Sequence, residues 1–297
     1  MNQPIQSGQP FHQLTSPIAS TSTTLLSEEV SSAPKVAAVQ MVSTPDVATN
    51  IATARRLVVD AVAQGAGLVL LPEYWPLLGM HENDKIAHAE GAGSGPIQEA
   101  LANMAREHAI WLIGGTLPMV SPESGKVMNT TLVYRPDGNL AARYDKIHLF
   151  SFSRGKESYD ESRTITAGAA VQSVETPFGR IGLSVCYDLR FPELYRALGE
   201  CTLIVVPSAF TWTTGRAHWE ILLRARAIEN QCYVLAAAQG GVHPNGRRTW
   251  GHSMLVDPWG EPVAVLEEGE GVVTGALNAE LVRSVRENLP ALRHRCM

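Results

Sequence analysis

The sequence has little positive charge. Its 297 residues carry a formal net charge of −5 and contain no cluster of Lys and Arg with interleaved aromatic residues. Nucleic acids and anionic membrane surfaces attract basic faces, so we expect neither as a partner. No apolar run reaches the roughly 18 residues that a membrane-spanning helix needs, so we predict no transmembrane segment. These absences exclude two classes of partner and favour a globular protein.

Cysteine is scarce, and the four that are present, Cys186, Cys201, Cys232 and Cys296, lie far apart without a Cys-x-x-Cys pair. Zinc sites and disulfide frameworks use characteristically spaced cysteines, so we predict neither and expect a reducing compartment. The nine histidines form no His-x-x-x-His pair. We therefore predict no metal site.

Basic residues are also missing from the first 34 residues, which are rich in Ser, Thr, Gln and Pro. A secretory signal starts with basic residues and a mitochondrial transit peptide is rich in arginine, so neither fits this segment. A segment so poor in large apolar residues cannot bury enough apolar area to fold alone. We predict a disordered extension over residues 1–34, one folded domain over residues 35–297, and a cytoplasmic location.

From Lys35 onward, short apolar runs alternate with stretches of helical periodicity. We predict strands where the runs are short and helices where apolar residues recur every three to four positions. Turn residues at 136–138 and 257–260 predict two hairpins. This alternation indicates an α/β fold with mixed sheets covered by helices. The predicted strands are 35–41, 67–73, 111–118, 179–188, 201–209 and 232–239, and the predicted helices include 51–65, 97–109 and 217–231.

Three chemically reactive side chains each follow an apolar strand: Glu73, Lys146 and Cys186. Taken singly, a cysteine in this position is usually a small core residue, and the Glu and Lys are usually solvated. Together they form a complete set for acyl transfer. To become a nucleophile, a thiol needs a base and preferably a nearby cation that lowers its pKa. A carboxylate can be that base, and an ammonium can stabilise the developing oxyanion.

The segments LLPEYW, RYDKIHLF and SVCYDLRFPE, in this order, resemble the signature segments of the nitrilase superfamily of carbon–nitrogen hydrolases. The resemblance runs from about Lys35 to the C-terminus. It implies a four-layer α-β-β-α sandwich with two mixed β-sheets and a Glu-Lys-Cys triad at the strand ends. It also implies a small-molecule amide substrate, no metal or organic cofactor, and a homodimer.

The resemblance implies a role for individual residues. Cys186 would be the nucleophile, Glu73 the general base and Lys146 the oxyanion stabiliser, with the backbone N–H of Tyr187 as a second donor. Glu161 matches a further family carboxylate near the lysine. The alternative for Glu161 is an acid at the N-terminus of a helix in a polar loop.

The branch of the family is indicated by three features. Nitrilases tend to place Trp-Glu after the cysteine, whereas this chain has Tyr187 and Asp188, which favours an amide over a nitrile. Residues 208–241 and 250–260 resemble the deaminated glutathione amidase branch, and omega-amidases share much of the pattern. The loop Gln239-Gly240-Gly241 favours the glutathione-derived branch.

Deaminated glutathione and 2-oxoglutaramate, the substrates of these two branches, share an acyl half that ends in an α-keto carboxylate. The forked guanidinium of an arginine suits that group. Arg190 is the candidate, with an ion pair to Asp188 or Glu193 as the alternative. Phe210 and Thr214, placed in the loop after the next strand, match family positions that line the acyl pocket, although core packing also explains Phe210. Two other readings stay open: a catalytically silent interaction protein with this fold, and a papain-like protease, for which no histidine has the expected context.

Overall fold

The computed structural model describes residues 33–155 and 157–296. The extension predicted over residues 1–34 therefore lies, apart from its last two residues, outside the described part of the chain. The α-helices are α1 (Val47–Ala63), α2 (Asp84–Ala87), α3 (Pro96–Glu107), α4 (Pro192–Ala197), α5 (Trp212–Asn230) and α6 (Ala279–Asn288). The strands are β1 (Lys35–Gln40), β2 (Ala66–Leu70), β3 (Trp111–Ile113), β4 (Leu117–Val120), β5 (Val127–Tyr134), β6 (Leu140–Asp145), β7 (Ser151–Arg154), β8 (Glu157–Asp160), β9 (Ile165–Thr166), β10 (Ser173–Thr176), β11 (Gly179–Leu183), β12 (Leu203–Ser208), β13 (Tyr233–Ala238), β14 (Ser253–Val256), β15 (Pro262–Leu266) and β16 (Gly271–Ala276).

The first sheet is mixed. Strands β1, β2 and β3 run parallel, β16 pairs antiparallel with β1, and β5 pairs antiparallel with β3. Strand β5 also pairs antiparallel with β4 and β6 and parallel with β9. Parallel neighbours need a crossover connection, and helices α1 and α3 lie in the two crossovers of this sheet.

The second sheet has the order β10-β11-β12-β13-β14-β15, with β11, β12 and β13 parallel and the outer pairs antiparallel. Helix α4 connects β11 to β12, and α5 connects β12 to β13. Both predicted hairpins are present, as β5–β6 in the first sheet and β14–β15 in the second.

The layers follow from the alternation of side chains along each strand. In β1, Val36 and Ala38 pack in the apolar cluster that includes the second sheet, whereas Ala37 and Val39 pack in the cluster that includes α1 and α3. The far side of the second sheet packs against α5 through residues such as Trp219 and Leu223. The arrangement is α-helices, sheet, sheet, α-helices. The predicted four-layer α-β-β-α sandwich with two mixed sheets is confirmed.

Three predicted elements differ in detail from the structure. The strand predicted over 111–118 is wrong as a single element, since Gly114 and Gly115 separate β3 from β4. Gly115 has φ +52, and a Cβ there would collide with the carbonyl of Pro72, so the chain turns at a position that only glycine fills easily. Helix α5 begins at Trp212, five residues before the predicted start at 217, because the Thr211 hydroxyl accepts the N–H of Thr214 and caps it.

The third difference concerns the nucleophile candidate. The strand predicted over 179–188 ends at Leu183, and Cys186 begins a separate 3₁₀ turn, Cys186–Arg190. The turn rather than the strand therefore sets the direction of the thiol.

Within the described ranges, no helix is long and apolar enough to cross a bilayer.

Candidate active site

The ends of strands from both sheets bring the three predicted catalytic side chains together. Glu73 lies three residues after β2, Lys146 directly after β6, and Cys186 three residues after β11. All three are buried, with exposed fractions of 1%, 0% and 7%. Three polar groups buried this far must satisfy one another, because water is excluded from them.

Lys146 lies between two carboxylates. Its Nζ donates to Oε1 of Glu73 at 2.8 Å and to both carboxylate oxygens of Glu161, at 3.0 and 2.8 Å. Burial alone would lower the pKa of Lys146, but the Glu161 and Glu73 carboxylates hold it above its ordinary value. Burial likewise opposes the charge on Glu161, and Lys146 keeps the pKa of that carboxyl below its ordinary value. The lysine is a fixed cation.

Glu161 is held by more than the lysine. The Tyr74 hydroxyl donates to Oε1 at 2.7 Å, and the backbone N–H of Phe150 donates to Oε2 at 2.7 Å. Glu161 is the first residue of a 3₁₀ turn, Glu161–Arg163, yet its carboxylate points into the protein and is 9% exposed. The structure therefore places Glu161 beside Lys146 and not in a solvated loop.

Glu73 is oriented by donors on both carboxylate oxygens. Besides Lys146, Asn129 Nδ2 donates to Oε1 at 3.0 Å, and the backbone N–H of Ala209, after β12, donates to Oε2 at 2.9 Å. The backbone carbonyl of Glu73 accepts from Gln239 Nε2 at 3.0 Å. Gln239, part of the loop used to distinguish family branches, thus holds the backbone of Glu73 in place.

Cys186 has φ +48, a left-handed conformation that costs a non-glycine residue about 1–2 kcal/mol. The turn that imposes it is fixed by Asp188, whose carboxylate accepts from the backbone N–H of Val185 at 2.9 Å and from the Tyr144 hydroxyl at 2.6 Å. The N–H of Tyr187 is among the first N–H groups of this turn, which have no acceptor within their own helix. Such a group is available as an oxyanion donor.

The electrostatics of Cys186 favour a thiol over a thiolate. Burial raises the pKa of Cys186 well above its ordinary value, and the Glu73 carboxylate raises it further, against the opposing effect of Lys146. A nearby cation was expected to lower this pKa, and its effect is outweighed. The sulfur therefore becomes nucleophilic only as its proton leaves, and the carboxylate of Glu73 is the adjacent base.

Cys186 opens onto a cavity of about 270 Å³. The predicted Tyr187, Arg190, Phe210 and Thr214 all line it. Thr214 was predicted in a loop but lies in the first turn of α5, because the helix begins earlier than its apolar periodicity indicates. The full lining is Glu73, Phe150, Glu161, Cys186, Tyr187, Arg190, Ala209, Phe210, Thr211, Thr214 and Arg247.

Arg190 contacts aromatic rings and a histidine, and it does not form the alternative ion pair with Asp188 or Glu193. Its guanidinium lies 5.3 Å from the ring centroid of Phe210 and 5.7 Å from that of Tyr187, and Nη1 lies 3.2 Å from Nδ1 of His218. In the described ranges no carboxylate lies within ion-pair distance of it. The guanidinium faces the cavity with its charge unpaired.

Sequence reasoning missed several residues around the site. Tyr74 directly follows Glu73 in the segment LLPEYW, so its position next to the site was a usable signal. Phe150 ends the segment RYDKIHLF and so had the same signal, whereas Arg247 lines the cavity from a loop that no periodicity or spacing marks. Among the described residues, no group of three or more His, Cys, Asp or Glu is arranged to hold a metal ion.

Comparison with known proteins identifies the family. The carbon-nitrogen hydrolase family model matches residues 35–287. The chain is a carbon–nitrogen hydrolase.

Named relatives place this carbon–nitrogen hydrolase among amidases. It is 42% identical over 265 residues to a deaminated glutathione amidase of Synechocystis sp. (strain PCC 6803 / GT-S), a match covering 87% of this chain and 97% of that protein. It is 37% identical over 273 residues to an omega-amidase of Xenopus tropicalis, covering 88% and 94%. The crystal structure of the Caenorhabditis elegans NitFhit protein is similar, with a TM-score of 0.83 and 41% identity, over 89% of this chain and 65% of that one.

Proposed function

We propose that this carbon–nitrogen hydrolase is an amidase that converts deaminated glutathione to 2-oxoglutarate and cysteinylglycine. The observation that carries the proposal is that Glu73, which accepts from Lys146, lines one cavity together with Cys186 and an unpaired arginine, Arg190. The similarity to deaminated glutathione amidases supports the choice of substrate.

The reaction uses Cys186 as nucleophile. Glu73 takes the thiol proton while sulfur bonds to the amide carbon, and the carbonyl oxygen becomes an oxyanion next to Lys146 Nζ and the N–H of Tyr187. The C–N bond then breaks, and Glu73 returns its proton to the leaving amine. Glu73 then deprotonates a water molecule that attacks the thioester carbon, the C–S bond breaks, and Glu73 returns this proton to the Cys186 sulfur as the acid leaves. Glu161 holds Lys146 in place as a positioning residue.

The acyl half lies between Cys186 and Arg190. A guanidinium binds a carboxylate through two parallel hydrogen bonds, so Arg190 receives the α-keto carboxylate, and Phe210 and Thr214 pack along the chain that connects it to the scissile amide. No metal or organic cofactor takes part in this scheme.

The test compares two amides with the same acyl half. Purified protein should release 2-oxoglutarate from deaminated glutathione much faster than from 2-oxoglutaramate. Mass spectrometry should detect a 2-oxoglutaryl thioester on Cys186. Cys186→Ala should abolish both the release of 2-oxoglutarate and the thioester. The reverse preference would make the chain an omega-amidase, as the relative from Xenopus allows. Absence of hydrolysis would favour a silent interaction protein, and full activity in Cys186→Ala would refute the mechanism.

We further propose a homodimer in the cytoplasm. Helix α5 and the β14–β15 turn expose three large apolar side chains, Ile221, Ile228 and Trp259, with exposed fractions of 70%, 50% and 58%. A second copy of the chain covering this face would remove them from water. All four cysteines are free thiols, which suits a reducing compartment. Sedimentation of the protein as a single 32.1 kDa species would refute the dimer.

A further inference from the structure

A second, larger cavity adjoins the catalytic one. Its open volume, which includes space continuous with solvent, is about 580 Å³, and it shares three lining residues, Phe150, Glu161 and Arg247, with the cavity at Cys186. We call it the outer chamber; its other lining residues include Tyr74, Lys85 and Tyr159. A substituent on the nitrogen of the scissile amide has room here, whereas release of ammonia needs no such space.

Arg247 lies at the boundary between the two cavities in a fixed position. Its backbone N–H donates to Asn245 Oδ1 at 2.9 Å, and its Nη2 donates to the carbonyl of Ala209 at 2.9 Å. The guanidinium lies 5.2 Å from the ring centroid of Tyr159. Asn245 Nδ2 in turn donates to the carbonyl of Gly79 at 2.7 Å, which ties this loop to the wall of the outer chamber.

One donor of this fixed guanidinium has no acceptor. The Nε of Arg247 is buried, and none of the residues in the described ranges accepts its N–H. A buried N–H without an acceptor is costly, and no carboxylate in the described ranges pairs with this guanidinium. The cation therefore favours an anion on the substrate in the cleft that Arg247 lines.

The other charged groups around the outer chamber are already paired. Lys85 Nζ lies 2.8 Å from Glu82, and Asp160 accepts from the backbone and hydroxyl of Ser162. Glu161 is paired with Lys146. Among the described lining residues, Arg247 is the guanidinium that keeps a free N–H for an anion.

We propose that the outer chamber binds the leaving group, and that Arg247 receives the carboxylate that ends it. The proposal rests on the proposed function, in which the leaving group is a dipeptide with a free carboxylate. Arg190 and Arg247 then bind the two carboxylates at opposite ends of one substrate, with the scissile amide at Cys186 between them. Arg247 becomes the residue that separates peptide-releasing from ammonia-releasing amides.

The experiment compares Arg247→Met with Arg248→Met. Arg248 is the next residue, but it pairs with Glu268 and lies over the Trp212 ring, and it lines neither cavity. Each variant is assayed with deaminated glutathione, with its C-terminal carboxamide, and with 2-oxoglutaramate. Arg247→Met should lower kcat/KM for deaminated glutathione by about 10- to 100-fold, the usual effect of losing a hydrogen bond to a charged group. Loss of the Ala209 contact affects both amides alike, so the ratio of kcat/KM for deaminated glutathione to that for 2-oxoglutaramate should fall by about 10- to 100-fold, and Arg248→Met should leave this ratio at its wild-type value.

The carboxamide identifies the contact. With the wild type, kcat/KM for the carboxamide should be lower than for deaminated glutathione by the same factor as Arg247→Met causes. With Arg247→Met, the carboxamide and deaminated glutathione should have equal kcat/KM, because both changes remove the same interaction. Equal losses of Arg247→Met on deaminated glutathione and 2-oxoglutaramate, or additive losses with the carboxamide, would overturn the assignment while leaving the proposed function intact. A wild type inactive on both amides would overturn the proposed function, and the assignment with it.

Discussion

Replacing Glu73 by Gln separates the two roles of this carboxylate, as a base and as a partner of Lys146. The substitution keeps the size of the side chain and removes its charge. Loss of a general base costs about 10²- to 10⁴-fold in rate, which corresponds to about 3–5 kcal/mol of transition-state stabilisation. We expect kcat/KM for the amide substrate to fall by this factor.

Folding should suffer much less than catalysis. Lys146 counts +1 and Glu73 and Glu161 count −1 each, so this buried cluster carries a net charge of −1. Glu73→Gln leaves a neutral Lys146–Glu161 pair. The cost arises from geometry, since Lys146, Asn129 and the Ala209 N–H all donate to Glu73, and the amide N–H₂ of Gln must face a donor. Loss of one such hydrogen bond is worth about 1.5–3 kcal/mol, which thermal denaturation can measure.

The same variant should make the thiol more acidic. The Glu73 carboxylate raises the pKa of Cys186, so its removal lowers that pKa, and the rate of alkylation by iodoacetamide should rise at a lower pH than in the wild type. If Glu73 is the general base, Glu73→Gln should therefore be slower than the wild type even though its thiol is more acidic. Alkylation that shifts to higher pH, or kcat/KM within tenfold of the wild type, would refute the reasoning. Glu90→Gln is the control, because Glu90 is also buried and accepts backbone N–H groups, at Ile97 and Gln98, but does not line the cavity.

Two further predictions concern stability. Lys146→Met leaves Glu73 and Glu161 without their cation, so we expect a loss of about 3–5 kcal/mol in urea denaturation, and a loss no larger than that of Glu73→Gln would contradict the charge argument. Burial lowers the pKa of His243 from 6.5 to about 4, against the opposing effect of its hydrogen bond to the Ser43 carbonyl. The folded protein therefore binds fewer protons than the unfolded chain, and stability falls as the pH drops from 6.5 towards 4. Between pH 7 and pH 4.5 the wild type should lose about 2 kcal/mol more than His243→Gln, and parallel stability profiles would refute this assignment.

The fold and the centre of the site were predictable from local patterns. Apolar runs and helical periodicity indicated mixed sheets covered by helices, the resemblance to the nitrilase superfamily implied the four layers, and three segments with Glu73, Lys146 and Cys186 indicated the chemistry. What failed depended on individual contacts, one tertiary and one local, that apolar periodicity does not register. The break between β3 and β4 arises from the close approach of Gly115 to Pro72, and Thr214 is helical because a cap, not apolar periodicity, starts α5.

The thiol's protonation state could not be predicted either. A nearby cation was expected to make Cys186 acidic, but the lysine is shared with two carboxylates and the sulfur is buried, which residue types alone do not reveal. The role of Arg247 could not be predicted from the sequence either. Its relevance depends on an unaccepted N–H at the junction of two cavities, and only the folded chain has that junction.

The excess negative charge around Lys146 also bears on how a turnover ends. Hydrolysis of an acyl group at Cys186 creates a new carboxylate, at the moment when Glu73 has returned to its charged form. Lys146 is already shared by two carboxylates and can offer the third little attraction. The product acid is therefore repelled from the place where it forms, whereas the neutral amide that preceded it was not. Weak product inhibition follows from one cation placed between two acids.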